Sequence, residues 1–279
     1  MSLFTASLNS GSNGNCYYVG NEKEAILVDA GISCREIEKR MRNLNLNMQL
    51  VKSVFISHEH IDHIRGVAVL ARKYQLPVYI TPATLKHSQL FLDRGLLRTF
   101  KANEPVKIGN LAVTPFSKLH DAIEPYSFIV EGNGIKIGVI TDIGEACAQV
   151  IHYFKQCHAC FLESNYDEQM LETGGYPIYL KNRIRGGKGH LSNKQALELF
   201  LKHKPLFMSH LFLSHLSKNN NYPELVQELF SQHAQHIQII VASRDRETEI
   251  YTIFNRETGL SKIKREIFKK EALQMSLFE

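Results

Sequence analysis

Four side chains able to hold a metal fall within six residues, His58, His60, Asp62 and His63, directly after the apolar run Val54-Phe55-Ile56. In an extended segment, side chains two apart point the same way, so His58 and His60 are set to share one ion. Asp62 and His63 sit where the chain turns into the next helix, offset toward a second ion. Neutral imidazoles and a carboxylate suit zinc, and also manganese or iron. A histidine-rich surface loop is the alternative. Against it, this segment has the strand before it and the helix after it that a metal motif requires.

Further donors stand at other strand ends. Residues 106–117 contain Gly109-Asn110 and residues 127–141 contain Gly132-Asn133-Gly134, two hairpin signals. Leu119-His120-Asp121 lies between these hairpins and Thr141-Asp142-Ile143-Gly144 closes the second, so His120 and Asp142 hold positions of the same kind as His58. Taken singly, each is a turn residue or helix cap as readily as a ligand. Later, residues 206–213 read as an apolar strand ending in Ser214-His215-Leu216-Ser217. His215 is preferred over His210 as a ligand because it lies where the apolar run gives way to polar residues.

Two segments suggest anion contacts. Residues 179–193 place Lys181, Arg183, Arg185 and Lys188, three glycines and His190 ahead of a helix opened by the capping pair Ser192 and Gln195. His190 therefore precedes the amide-rich start of that helix and is a candidate contact or proton donor to a phosphodiester. For the single cations, an ordinary exposed basic loop is the other reading. Near the start, residues 9–15 form a turn-rich loop in which Ser10, Ser12, Asn13 and Asn15 either face a phosphate or make a plain hairpin turn.

The elements that must carry these residues fit one large α/β domain. A chain of 279 residues with 44% hydrophobic residues can bury a full core. Residues 25–29 form a nearly continuous apolar strand, as in a sheet covered on both faces. Ser33 and Glu36 open a helix through Arg42, residues 78–81 are a strand, and Pro82 starts a helix to about Leu92. The 33 basic residues exceed the 28 acidic ones without a long run, which permits a nucleic-acid partner and does not demand one. Five cysteines at irregular spacing make no disulfide framework, and Cys157 and Cys160 read as buried thiols. There is no basic leader and no apolar span near twenty residues, so a cytoplasmic protein without membrane contact is expected.

The pattern His-x-His-x-Asp-His resembles the signature of the metallo-β-lactamase superfamily. That resemblance implies an αββα sandwich of two facing mixed β-sheets flanked by helices, spanning residues 1–258. It further implies His58, His60 and His120 on one metal, Asp62, His63 and His215 on a second, and Asp142 bridging two divalent ions, Zn or Mn with Fe also suitable. The Gly-His-Leu-Ser segment and the later Leu-Ser-His-Leu-Ser segment resemble its phosphodiesterase branch, which includes RNase Z. Ser-Gly-Ser-Asn-Gly-Asn near the start, Leu-Glu-Ser-Asn-Tyr-Asp at 162–167 and Tyr-Leu-Lys-Asn-Arg-Ile-Arg before Gly-His-Leu-Ser-Asn resemble the YycJ/WalJ type of bacterial metallo-hydrolases. Members are associated with DNA exonuclease activity and genome maintenance. DNA, ahead of RNA, becomes the expected substrate, with Asp62 and His190 in catalysis and a metal-bridging hydroxide attacking the phosphodiester.

Residues 259–279 read as a basic helix and a tail ending Gln274-Met275-Ser276-Leu277-Phe278-Glu279. Gln274, Leu277 and Phe278 resemble the peptide by which bacterial repair and replication proteins bind the DNA sliding clamp. The same apolar pair would otherwise pack back on the domain. Two further functions compete with the nuclease: hydrolysis of a small phosphodiester or other ester, and a non-catalytic adaptor stabilised by metal and docking through its tail. The basic residues 183–190 argue against thioester or lactam substrates, and a bridged pair with open positions argues against a purely structural site.

Overall fold

The computed structural model describes residues 2–255. One sheet contains β1 (Ser2–Asn9), β2 (Cys16–Gly20), β3 (Ala25–Val28), β4 (Val51–Phe55), β5 (Val78–Tyr79), β6 (Leu97–Arg98) and, added at the β1 edge, the last strand Tyr251–Phe254. The other contains β7 (Val106–Ile108), β8 (Leu111–Ser117), β9 (Tyr126–Gly132), β10 (Ile135–Ile140), β11 (Ala159–Glu163), β12 (His210–Ser214) and β13 (Gln238–Val241); the strand Tyr251–Phe254 is then β14. Their orders are β14-β1-β2-β3-β4-β5-β6 and β13-β12-β11-β10-β9-β8-β7. In each sheet three antiparallel pairings give way to three parallel ones.

The helices are α1 (Cys34–Asn43), α2 (Ile61–Ile64), α3 (Val67–Tyr74), α4 (Pro82–Ser88), α5 (Ala148–Phe154), α6 (Glu168–Thr173), α7 (Ile178–Arg185), α8 (Asn193–His203) and α9 (Pro223–Ser231), with α1 and α3 packed on the outer face of the first sheet and α5, α8 and α9 on that of the second. The strand sequences explain the layering. In β3, Ala25 and Leu27 pack under helices while Ile26 and Val28 face the second sheet. In β11, Cys160 and Leu162 point to α5 and α8, and Ala159 and Phe161 point inward. Alternation with apolar residues on both sides is what a doubly covered strand requires. Aromatic rings join the sheets: Tyr17 lies 4.9 Å from Phe161, Phe55 lies 5.7 Å from Phe128, and Phe212 lies 5.1 Å from Tyr251 between ring centroids.

Several sequence expectations need adjustment. The helix from Pro82 stops at Ser88 because Gln89 adopts a left-handed conformation. Ser33 caps α1 by accepting from the Glu36 amide, but the Glu36 carboxylate turns to Arg40, so the reciprocal half of the box is absent. The strand expected over 206–213 is only β12, since Pro205 starts a turn that leaves Leu206 91% exposed. Residues 178–185 form α7, in a segment for whose cations an exposed basic loop was the other reading; none of its residues is buried, so no apolar periodicity announced it. Cys157 and Cys160 are free, buried thiols. Among the described residues no helix is long and apolar enough to cross a membrane. The tail with Gln274, Leu277 and Phe278 lies outside the described residues.

Phe161 is fully buried and touches rings of both sheets. Phe161→Ala is expected to destabilise the fold by about 3–5 kcal/mol, read from the midpoint of chemical denaturation.

Candidate metal centre

The donors selected from sequence meet at strand ends, and those after β4, β10 and β12 stand at the carboxyl ends of parallel-paired strands, where open α/β sheets place their ligands. His58, His60, Asp62 and His63 follow β4, with His60 capping α2. His120 lies in the loop after β8, Asp142 two residues after β10, and His215 directly after β12. Three residues there hold left-handed backbone without being glycine: Asp29 after β3 (φ 60°), Asp142 (φ 55°) and His215 (φ 58°). Such conformations cost on the order of 1 kcal/mol or more each and persist where surroundings over-determine them.

The distances form a continuous cluster. His58 Nε2 is 3.1 Å from His60 Nδ1, and His58, His60 and His120 present donor atoms within 4.8 Å of one another. Asp62 Oδ2 lies 3.6 Å from His63 Nε2 and 3.7 Å from His215 Nε2. Asp142 stands between these groups, 3.3 Å from both His63 Nε2 and His215 Nε2 and 3.8 Å from His120 Nε2. A tetrahedral ion with bonds of about 2.0–2.1 Å needs donors roughly 3.3 Å apart, so the spacing suits divalent metal ions. His120 Nε2, Asp142 Oδ2 and His215 Nε2 are also shielded from solvent without a hydrogen-bond partner among the described residues. A cation would satisfy all three.

An outer ring fixes the imidazoles. His63 Nδ1 donates to Asp29 at 2.7 Å, and Asp29 accepts from the amide and hydroxyl of Ser57, both at 2.8 Å. Ser57 Oγ meets His58 Nδ1 at 2.9 Å, and His120 Nδ1 donates to the Gly189 carbonyl at 3.0 Å. Glu163 Oε1 accepts from His215 Nδ1 at 3.1 Å and from His190 Nδ1 at 2.8 Å. With Nδ1 occupied, Nε2 of His58, His63, His120 and His215 is the nitrogen left for a metal. Buried Lys118 donates to the Thr141 carbonyl at 2.7 Å, tying the His120 loop to the strand end that carries Asp142. Gly144 permits a close crossing here, since a Cβ would lie 2.3 Å from the Gly187 carbonyl oxygen.

The expected phosphate contacts divide. Ser10 and Asn15 are buried and engaged inside the protein: Ser10 Oγ accepts from the His215 amide at 2.8 Å, and Asn15 Nδ2 reaches Gly11 O at 3.2 Å and Asp62 Oδ2 at 3.3 Å. Of the two readings of this loop, these internal bonds fit the structural turn at Ser10 and Asn15, which tie it to His215 and Asp62. Asn13 spends its amide nitrogen on the Arg244 carbonyl, while Ser12 remains exposed. Arg183 pairs with Asp121, beside His120, and Arg185 pairs with Glu172 at 2.9 Å. Lys188 is exposed, and His190 is 21% exposed, its ring stacked 5.3 Å from that of His215. Sequence reasoning missed Asp29, Ser57 and Lys118, and met Glu163 and Asn165 only as members of the Leu-Glu-Ser-Asn-Tyr-Asp block at 162–167. An acid closing an otherwise apolar strand, as Asp29 and Glu163 do, was the available signal.

Charge within the cluster sets its response to pH. Burial drives the His58 imidazole well below its usual range, and burial takes His120 down to about 4. For His215 burial also opposes protonation but is outweighed by Asp142, Asp62 and Glu163, which push it up to about 10. Without a cation, His215 therefore holds a proton through neutral pH, and a metal must displace it. Affinity for Zn²⁺ should rise about tenfold per pH unit for each proton displaced below that value. Competition against a chromogenic chelator between pH 6 and 8 measures the slope, and a flat profile would contradict the proton-filled site.

Comparison with known proteins gives the family. The model of the beta-lactamase superfamily domain matches residues 24–215. "Exodeoxyribonuclease YycJ" from Bacillus anthracis is 36% identical over 235 residues, covering 83% of this chain and 89% of that protein. "Exodeoxyribonuclease WalJ" from Streptococcus pneumoniae strain D39 is 31% identical over 223 residues, covering 78% and 83%. The crystal structure of the metallo-β-lactamase-fold protein YhfI from Bacillus subtilis has a TM-score of 0.70 at 15% identity, covering 90% of this chain and 100% of that one, a likeness of fold. With two facing mixed sheets and a histidine–aspartate cluster at their strand ends, the chain belongs to the metallo-β-lactamase superfamily and is a metal-dependent hydrolase.

Proposed function

We propose that the chain is a dinuclear metal-dependent phosphodiesterase, an exonuclease acting on DNA. The observation that carries this reading is His190, half-buried beside the metal cluster, held by Glu163 and delivered by a segment rich in cations. The similarity to the two exodeoxyribonucleases supports the substrate class. Under this reading His58, His60 and His120 would hold one divalent ion and Asp62, His63 and His215 the other, with Asp142 available to both from between the two groups. Zinc and manganese both suit these donors, and iron also fits. Such a pair, when bound, supplies a water of lowered pKa and a clamp on phosphate oxygens.

The chain's own groups do the rest. Glu163 stays ionised, its carboxyl held down at about 2: burial opposes this, but His190 and His215 outweigh it. The carboxylate fixes the His190 ring through Nδ1, leaving Nε2 as the nitrogen that gives a proton to the leaving oxygen. Asp62, braced by Asn15, keeps the second ligand group in place. Arg183, Arg185 and Lys188 add positive charge to the segment that delivers His190 and attract the strand; Arg183, paired with Asp121 beside His120, exchanges that carboxylate for a phosphate when it arrives. A role in repair or replication rests on Gln274, Leu277 and Phe278 as a sliding-clamp peptide, which binding of a synthetic tail peptide to the clamp would test.

Metal-loaded protein should degrade end-labelled DNA. Asp142→Ala should lower the rate by at least about 10³-fold, and His190→Ala by about 10²–10⁴-fold with metal content retained. The product ladder on single- and double-stranded DNA and RNA reads polarity and substrate. Equal inertness of wild type and Asp142→Ala on every nucleic acid, with metal bound, would sink the nuclease reading in favour of a small phosphodiester.

A further inference from the structure

Opposite the α7 segment, two arginines converge on the loop between β1 and β2. Arg65, two residues beyond His63, donates from Nη1 to the Asn13 carbonyl at 3.2 Å. Arg244 donates from Nη2 to Ser12 Oγ at 3.1 Å, and its own carbonyl accepts from Asn13 Nδ2 at 2.8 Å. Gly11 brings the loop into ordinary contact with Arg244 and with the carbonyl of Leu216, the neighbour of His215, and its φ of 132° is one that residues with a side chain rarely adopt. This loop also reaches the cluster through Asn15 and Asp62. The arginines thus border the Asp62, His63 and His215 edge, while Lys188 and His190 border Asp142 and His120.

Unlike Arg183 and Arg185, neither Arg65 nor Arg244 has a carboxylate within 4.0 Å among the described residues. Arg244 Nη1 is shielded from solvent and lacks a hydrogen-bond partner among those residues. A shielded guanidinium nitrogen without a partner is costly, and an anion that offers two oxygens side by side, as a phosphate does, matches its fork. Its position is fixed: buried Arg40 donates to the Asp245 carbonyl at 3.1 Å and to the Leu8 carbonyl at 2.7 Å, pinning the Arg244 segment to the end of β1. The adjacent Asp245 is exposed and its amide donates to Ser243 Oγ.

We infer that Arg244, with Arg65 and the Ser12 hydroxyl, forms a second anion subsite that holds a phosphate group of the substrate strand other than the one being cleaved. The inference rests on the nuclease reading and extends it, since it gives the strand a second charged anchor across the metal cluster from α7. The phosphate belongs either to the next internucleotide link or to the strand terminus.

Binding distinguishes these sources. Cleavage-resistant phosphorothioate oligonucleotides carrying a 5′-phosphate, a 5′-hydroxyl or a 3′-phosphate are titrated against metal-loaded wild type, Arg244→Gln, Arg244→Lys and Arg65→Gln at several salt concentrations. Arg244→Gln should weaken binding about tenfold and reduce the salt slope by about 0.7–0.9, one phosphate contact. Arg244→Lys should recover most of that slope. If the subsite holds a terminal phosphate, wild type prefers one phosphorylated end and Arg244→Gln loses the preference; if it holds an internal link, all three oligonucleotides weaken equally. An unchanged salt slope in Arg244→Gln, or equal weakness of the Gln and Lys variants, overturns the subsite while wild-type binding leaves the nuclease reading standing. Wild type that binds none of the oligonucleotides overturns both.

Discussion

The structure depends on one electrostatic arrangement: carboxylates and imidazoles gathered at buried strand ends in numbers that the polypeptide alone does not satisfy. Asp142 is surrounded by His63, His120 and His215, and an oxygen of the aspartate and a nitrogen of two of these rings have no partner among the described residues. In a low-dielectric interior such a set is stable only if protons or metal cations complete it. Asp29 and Glu163 add negative charge behind the histidines and orient them in the same act. The outer carboxylates are therefore part of the electrical balance as well as the scaffold.

That balance links distant segments of sequence. Glu163 ends β11 yet orients His215 after β12 and His190 before α8, and it also accepts from the Ile143 amide at 2.7 Å. One side chain thereby orients two imidazoles, those of His215 and His190, and holds the strand end that carries Asp142. Ser164, Asn193 and Asn221 continue the bracing beneath it, through bonds of 2.7–3.1 Å. The chemistry sits on loops, but the hydrogen bonds that aim it run between strand ends, whose positions the inter-sheet aromatic core holds.

Much of this was legible in the sequence, for physical reasons. Four donors crowded after an apolar strand leave little other use for residues 57–63, and apolar runs with small turn signals outlined the strands. The capping pair at Ser192 appears intact in the structure because both of its halves are local. What stayed hidden depends on partners far along the chain. Asp29 reads as the end of a strand until Ser57 and His63 are placed beside it, and Lys118 reads as a surface lysine until the loop folds it inward. Helix α7 escaped because it covers no core, and Ser10 and Asn15 looked free until the His215 and Asp62 segments were packed against their loop.

The doubly apolar strands have a consequence for folding. A strand with one wet face is held in register by that face, because a slip of one residue turns its hydrophobic side to solvent. In β11 and β12 a slip would trade Phe161 for Cys160 or Phe212 for Leu211, and the exchanged side chains would still be apolar and covered. Burial alone gives these strands little information about alignment. The polar groups at their ends supply it, since only one alignment brings Glu163 level with Ser214 and sets His215 against it. The polar residues gathered at the candidate site also tell the central strands where to stop, so loss of the buried acid at 163 would blur the fold's alignment as well as disturb the imidazoles it orients.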